Sequence, residues 1–309
     1  MYKIRKEIKM NILYNAFGWI MQKIYEFCSF ENYGVAIIIF TLLTKLLLMP
    51  LTIKQQKSMR KTQEMQKELS EIQRLFKGDQ NRIAEETQKL YSKYGVSPMS
   101  GCLPMLIQFP LIMVLYQVVR EPVTYILGKT PALIEGAAAV LGIETEKNFY
   151  VQLDIMNKLT ENPSLVEGIE GFTASDIINF NFMGINLGKI PTIDFGTIGE
   201  NPGVYLPLLL IPILAAVTTF LQTMIMNKLN GNKQSGDVND QAQMMTKGMS
   251  FMMPIMILVM AFSVPASLGL YWIIGNIFQI GQQYLLHLIF NKKEPEKKDK
   301  IIETKGRQV

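Results

Sequence analysis

Apolar positions gather into five runs, at residues 34–52, 101–119, 204–226, 249–264 and 267–289, separated by polar stretches of unequal length. Runs near 20 residues suffice to cross a hydrocarbon core of about 30 Å, so the pattern predicts five membrane-spanning helices. Ahead of them, residues 1–33 hold a basic leader, Met1 to Lys9, and then a helical face. Leu13, Phe17, Ile20, Ile24 and Phe27 recur at steps of four and three, with Asn15, Gln22 and Glu26 on the other side. This predicts an amphipathic helix lying in the membrane interface, with Trp19 and Tyr25 suited to headgroup depth. No short apolar stretch with a small-residue cleavage site follows the leader, so no cleaved signal peptide is expected; Met10 is a second candidate start.

The polar segment 53–98 carries a narrower pattern. Met65, Leu69, Ile72 and Phe76 step by four, three and four; Lys77-Gly78-Asp79-Gln80 interrupts; Ile83, Thr87, Leu90 and Tyr94 repeat the steps. Two matching seams around a Gly-Asp turn predict an antiparallel helical hairpin in solvent. Segment 120–203 is rich in Gly, Asn, Glu and Asp; one or two short surface helices are expected there, and no fold is legible. Residues 227–247 read as a polar loop and 291–309 as a charged, disordered tail. The fold class expected is an all-α membrane protein.

Composition agrees. Of 309 residues, 49% are hydrophobic and 18% charged, less charge than a soluble domain of this length carries. One histidine, His287, and two separated cysteines, Cys28 and Cys102, offer no disulfide framework and no zinc site. No phosphate-binding, dinucleotide-binding, zincin or nucleophile-elbow motif is present. Neither an enzyme nor a cofactor or metal is expected.

Charge sets the expected orientation. Ten lysines and arginines lie in 53–98 and seven in the tail, whereas 120–203 has five basic and eleven acidic residues. Basic segments stay cytoplasmic. The hairpin, the 227–247 loop and the tail are therefore expected inside, with segment 120–203 and the N-terminus outside. The basic leader resists that last assignment, which favours Met10 as the start.

Lys45 is the informative residue. It sits inside the first run, about seven residues or roughly 10 Å before its cytoplasmic end. A lysine at a helix centre costs about 2.5 to 3.5 kcal/mol on insertion scales, relieved by water, a partner or snorkelling. Polar residues in other runs include Gln108, Thr218, Thr219, Gln222, Asn276, Gln279, Gln282 and Gln283, and no run contains Asp or Glu. Snorkelling stays open as a reading. Depth and the missing counter-ion favour a hydrated cavity open to the cytoplasm, with an unpartnered Lys45 as its positive pole. Such a cavity cannot run carboxylate proton relays, but it attracts an anionic segment transiently. Met244, Met245, Met249, Met252, Met253, Met256 and Met260 suit an adaptable surface for varied apolar clients. Prolines 104, 110, 207, 212 and 254 are expected to kink helices.

Two stretches carry a resemblance. The run from Tyr94 through Gly101, Cys102, Pro104 and Gln108 to Pro110 (YGVSPMSGCLPMLIQFP) resembles the signature entering the second core helix of the YidC/Oxa/Alb membrane protein insertases. Residues 265–272 (PASLGLYW), from Pro265 to Tyr271 and Trp272, with Asn276 beyond, resemble the start of the last core helix. The span bearing Lys45 resembles the first. The resemblance implies a five-helix core with a hydrophilic groove, closed to the outside but open to cytoplasm and lipid, and a cytoplasmic hairpin needed for activity. A groove cation, here Lys45, draws in the hydrophilic end of a client, whose apolar segment slides into lipid along the third and fifth helices. Gln108, Thr218, Gln222, Asn276 and Gln279 are the candidate groove lining; Gly101, Pro104, Pro110, Pro265, Tyr271 and Trp272 are structural, the last two packing near the outer end.

The resemblance is to Gram-positive members, in the cytoplasmic membrane of a bacterium, with two departures. Lysine stands where arginine is usual, keeping the charge but losing the planar fork. Segment 120–203 exceeds the short connection typical there. The large external domain of Gram-negative members and the lipid-attachment cysteine of many Gram-positive ones are not found. The partners implied are nascent membrane proteins and lipid, with the Sec channel, ribosome and targeting factors as further candidates. The rival readings are a small-solute transporter, which the missing intramembrane carboxylate disfavours, and an accessory subunit of the Sec channel.

Overall fold

A computed structural model describes residues 2–95, 103–229 and 252–291. Gly101, Cys102, Met244, Met245, Met249, most of the 227–247 loop and nearly all of the tail lie outside the described residues. The chain is mostly helical. Its helices are α1 (Tyr2–Cys28), α2 (Tyr33–Leu47), α3 (Met49–Leu75), α4 (Gln80–Tyr94), α5 (Leu103–Arg120), α6 (Pro122–Tyr125), α7 (Pro131–Val140), α8 (Val151–Glu161), α9 (Phe195–Glu200), α10 (Pro202–Leu208), α11 (Leu210–Leu229), α12 (Met252–Ala261) and α13 (Ala266–Asn291).

By length and apolarity, Pro202–Leu229 is long enough to cross a membrane, as is the bent pair Tyr33–Leu47 plus Met49–Ser58 if taken as one span. The run expected as one span over 34–52 thus divides. Pro50 has no N–H to give the Leu46 carbonyl, so α2 stops at Leu47 and α3 leaves at 54°. A milder break at Leu209 has the same cause: Pro212 cannot bond the Leu208 carbonyl, and α10 passes into α11 there.

α1 turns into α2 through Phe30 and Glu31, both in the left-handed region at φ 52° and 58°. Its sequence-predicted apolar face is only partly used. Ile24 is buried and Phe17 and Ile20 pack on the core, but Phe27 is exposed. Trp19 is exposed, whereas Tyr25, expected beside it at headgroup depth, is buried. Its hydroxyl donates to the Glu31 carbonyl at 2.9 Å and accepts from the Asn179 N–H at 3.2 Å. Local partners satisfy the phenol, so it has no need of the interface.

α3 and α4 pair through the predicted seam. Met65 and Leu90 are buried, with Leu69, Ile72, Tyr91 and Tyr94 packed around them. Asp79 caps α4 by accepting from the Arg82 N–H at 3.0 Å, and Gly95 ends it in the left-handed conformation. Glu68 of α3 accepts from Lys93 at 2.7 Å and from the Tyr94 hydroxyl at 2.6 Å, tying the far end.

Segment 120–203 is a folded cap rather than a loop with surface helices. It contains α6 to α9, 3-10 turns at Pro163–Gly168 and Ala174–Asp176, and a two-stranded antiparallel hairpin, β1 (Asn181–Phe182) and β2 (Ile185–Asn186). Ile134, Leu153, Ile155, Met156, Leu159 and Phe180 of the cap share one continuous core with Ile37, Phe40 and Leu115 of the long helices. Residues 179–189 strap it down. Helix N-termini leave backbone N–H groups without partners; here the Asn179 carbonyl accepts from Tyr33 N at 3.1 Å, and the Lys189 and Leu187 carbonyls accept from Ala266 and Ser267 at 3.0 Å each. The same strap therefore completes the starts of both α2 and α13.

Candidate functional site

α13 is the spine of a polar path through the helices. Its first turns are apolar and buried, Leu268, Leu270 and Trp272 among them, and Gly269 lets Ile211 of α11 approach where any side chain would collide. From Tyr271 onward, polar groups appear at helical spacing.

The path begins with Lys45, in the last turn of α2 and only 7% exposed. Its ammonium donates to the side-chain oxygen of Gln108 on α5 at 3.3 Å. The Gln108 amide nitrogen donates onward to the Tyr271 hydroxyl at 2.9 Å. Gly275, one turn beyond Tyr271, runs beside the lysine stem, where a Cβ would stand 3.3 Å from Cε and 3.6 Å from Nζ. Thr41 and Thr44, buried on the same helix, return their hydroxyls to carbonyls of α2 at 2.6 to 2.9 Å. They consume no hydrogen-bonding capacity of the lysine.

Deeper along α13, Asn276 donates to the Thr218 and Thr219 hydroxyls of α11 at 3.0 and 2.9 Å, and Gln222 donates to Gln279. Further still, Gln282 donates to Thr52 at 2.5 Å and Gln283 to Gln56 at 2.9 Å. Gln55, buried beside them, has an amide nitrogen without a partner among the described residues. One helix thus bonds in succession to α5, to α11 and to the first turns of α3, and passes beside the Lys45 stem of α2.

Lys45 is not bare. Gln108 supplies a neutral acceptor, which orients the ammonium without cancelling its charge. Among the described residues Lys45 makes no ion pair, and none of α2, α5, α11, α12 and α13 contains an acid. A desolvated cation with a neutral partner favours any anion that reaches it.

The structural residues are spread. Pro265 and Trp272 are buried at and just after the start of α13; Pro110 lies inside α5 with its ring exposed; Pro104 lies in the first turn of α5. Tyr271, read as packing, also belongs to the polar path. Thr52, Gln55, Gln56 and Gly275 were not among the expected groove residues. Steps of four and three link Tyr271, Gly275, Gln279 and Gln282 on one face of α13, a signal carried by the sequence. Met252, Met253, Met256 and Met260 of α12 are all exposed, beside Ile255 and Val259.

The profile of the family 60Kd inner membrane protein matches residues 23–294. The membrane protein insertase YidC of Oceanobacillus iheyensis is 32% identical over 261 residues, covering 83% of this chain and 75% of its own length. Membrane protein insertase MisCA of Bacillus subtilis is 29% identical over 270 residues, covering 86% and 74%. The insertase YidC of Clostridium perfringens is 28% identical over 298 residues, covering 94% and 96%.

Proposed function

The chain belongs to the 60Kd inner membrane protein family, and from that premise we propose that it inserts client proteins into the cell membrane through a groove whose cation is Lys45. The observation that carries the reading is the buried ammonium of Lys45 held by a neutral amide between α2, α5 and α13. An acidic client end displaces Gln108 as the ammonium's partner and exchanges a neutral contact for a charged one. No second charge holds it there, so release is not obstructed. Its backbone then passes the hydroxyls and amides of Thr218, Gln222, Asn276 and Gln279. The apolar segment of the client leaves along the exposed face of α11, where Leu210, Ile213, Leu214 and Val217 meet lipid.

Two features support placing the cap outside and the α3–α4 pair in the cytoplasm. The cap is acidic and the helix pair basic. Moreover, Tyr14 of α1 stacks edge-on against Tyr125 of α6 at 6.3 Å while Tyr25, eleven residues on, bonds with Asn179 of the strap. Both ends of that stretch touch the cap, which suits a helix lying along the outer interface. The helix pair and the basic tail are surfaces for the Sec channel, targeting factors and ribosome.

The test is client insertion by purified protein in proteoliposomes. Lys45→Arg is expected to work; Lys45→Ala and Lys45→Glu are expected to fail on clients with acidic translocated ends. Normal insertion of such clients by Lys45→Glu would end the proposed role. Insertion by the protein alone also separates this reading from that of an accessory subunit.

A further inference from the structure

Between the cap and Tyr205 lies an open cleft of about 570 Å3 that shares no residue with the polar path around Lys45. Sites for small molecules run from about 300 to 1,000 Å3. α8 forms one wall. Asp154, Asn157, Lys158 and Glu161 fall at i, i+3, i+4 and i+7, a single stripe of that helix, while Leu153, Ile155, Met156 and Leu159 enter the core.

The charges on that stripe are arranged unusually. Glu161 pairs with Lys189 across the cleft at 3.0 Å. Asp154 and Lys158 stand four residues apart, a spacing at which opposite charges ordinarily pair, yet they form no ion pair. Lys158 donates to the Leu141 carbonyl at 2.7 Å and meets no carboxylate among the described residues. Asp154 accepts from Asn148 at 2.7 Å through one oxygen, leaving the other open. Glu144, also on the wall, has no protein partner there. Asn157 is 7% exposed, and its amide nitrogen reaches only the Gly188 carbonyl, at 3.5 Å. Beside the Glu161–Lys189 pair, the cleft therefore holds one cation and two anions that do not pair, with a buried amide donor poorly satisfied among them.

Its position adds a second constraint. Tyr205 on the far wall lies in α10, at the start of the membrane-length run Pro202–Leu229. Its hydroxyl has no protein partner among the described residues. Immediately beyond it, Leu206 and Leu210 are more than half exposed. At another rim Phe149, between the lining residues Asn148 and Tyr150, is 75% exposed. Polar lining and exposed apolar rims meet at the end of a helix long and apolar enough to cross a membrane.

We propose that this cleft binds the headgroup of a phospholipid that carries both a phosphate and a primary ammonium. Lys158 and the Tyr205 hydroxyl take the phosphate, Asp154 and Glu144 take the ammonium, and the acyl chains run along Leu206 and Leu210. The inference rests on Pro202–Leu229 crossing the membrane and is independent of client insertion. A soluble phosphoethanolamine ester presents the same chemistry, so the experiment includes one.

Full-length protein in detergent, offered equal amounts of phosphatidylethanolamine and phosphatidylglycerol, is read by native mass spectrometry. Retention of the ethanolamine lipid should exceed that of the glycerol lipid by roughly threefold or more. Glu144→Gln and Asp154→Asn should each erase that preference, and Lys158→Gln should lower retention of both lipids. Among the described residues Glu144 makes no hydrogen bond or ion pair, so its variant tests the site even if Lys158→Gln folds poorly. Equal retention by the unaltered protein overturns the proposal, as does a preference that all three variants keep. Glycerophosphoethanolamine binding as tightly as the lipid would overturn the membrane source. Insertion is not measured, so a failed insertase reading leaves these outcomes intact.

Discussion

The side-chain oxygen of Gln108 stands 3.3 Å from the ammonium of Lys45, and no carboxylate of the described residues shares that ammonium. The amide fixes the lysine through one bond and is itself fixed through Tyr271 at 2.9 Å. A glutamate in place of Gln108 would be nearly isosteric and would neutralise the cation. At a separation near 4 Å and the effective dielectric constant of a partly buried site, such a pair is attractive by roughly 4 kcal/mol before desolvation is subtracted.

Gln108→Glu is therefore expected to reduce insertion of clients with acidic translocated ends by about tenfold or more, while Gln108→Leu, which leaves the charge, reduces it far less. Clients with neutral ends should be affected alike by both. Initial insertion rates into proteoliposomes, compared across the two variants, decide the point. Equal losses would mean that Gln108 acts through shape rather than by sparing the charge.

The same contrast marks how much was legible beforehand. Lys45 stood out because a lysine inside an apolar run is costly wherever the chain folds, and the seam from Met65 to Leu90 because period and turn residues agreed. Tyr271 did not stand out, since an aromatic at a span end suits packing as well as hydrogen bonding. The break at Leu48 was signalled by Pro50, but apolar residues on both sides masked it. The cap was least legible. Its core is assembled from short stretches such as Ile134–Leu141 and Leu153–Leu159 that reach burial against one another and α6, while β1 packs on α2. Those contacts join separate stretches of the chain, and periodicity within 120–203 carries no trace of them.

Gly34 marks the junction of strap and helix. The Phe182 ring occupies the place where a Cβ would be, and Tyr33 next to it stacks edge-on against Phe180 at 4.9 Å. Gly34→Val is expected to push the β hairpin away and cost about 1–3 kcal/mol, the usual penalty of overpacking. Limited proteolysis should show new cleavage within 179–189. An unchanged digestion pattern would indicate that the strap yields without loss.

In the α3–α4 pair, buried seam and surface charge make unequal contributions. Leu90→Ala removes a buried side chain and is expected to destabilise the pair by roughly 2–4 kcal/mol. Lys89 bonds Glu85 at 2.8 Å and Glu86 at 2.9 Å, but in full solvent, where such pairs contribute little. Its alanine variant should be indistinguishable from the parent. Amide hydrogen exchange over 60–94 measures both. Faster exchange in Lys89→Ala than in Leu90→Ala would reverse the assignment of what holds the pair together.

Asp176 gives the cap a dependence on acid. Burial alone would raise its pKa. The Lys129 ammonium at 3.0 Å and the Thr173 hydroxyl and N–H at 2.9 and 2.7 Å outweigh that and hold the carboxyl below its ordinary 3.8. A carboxyl whose folded pKa lies below its unfolded one stabilises the fold above the unfolded value, and that contribution disappears as pH falls through the folded value. Asp176→Asn should therefore lower stability, read as a lower melting temperature, most at about pH 5 and above, by on the order of 1–2 kcal/mol, with the gap closing as pH falls below the ordinary 3.8. Lys129→Met should flatten the same profile, because it removes the cation that keeps the carboxyl ionised. A gap between Asp176→Asn and the parent that is constant across this range would show that the side chain acts by packing alone.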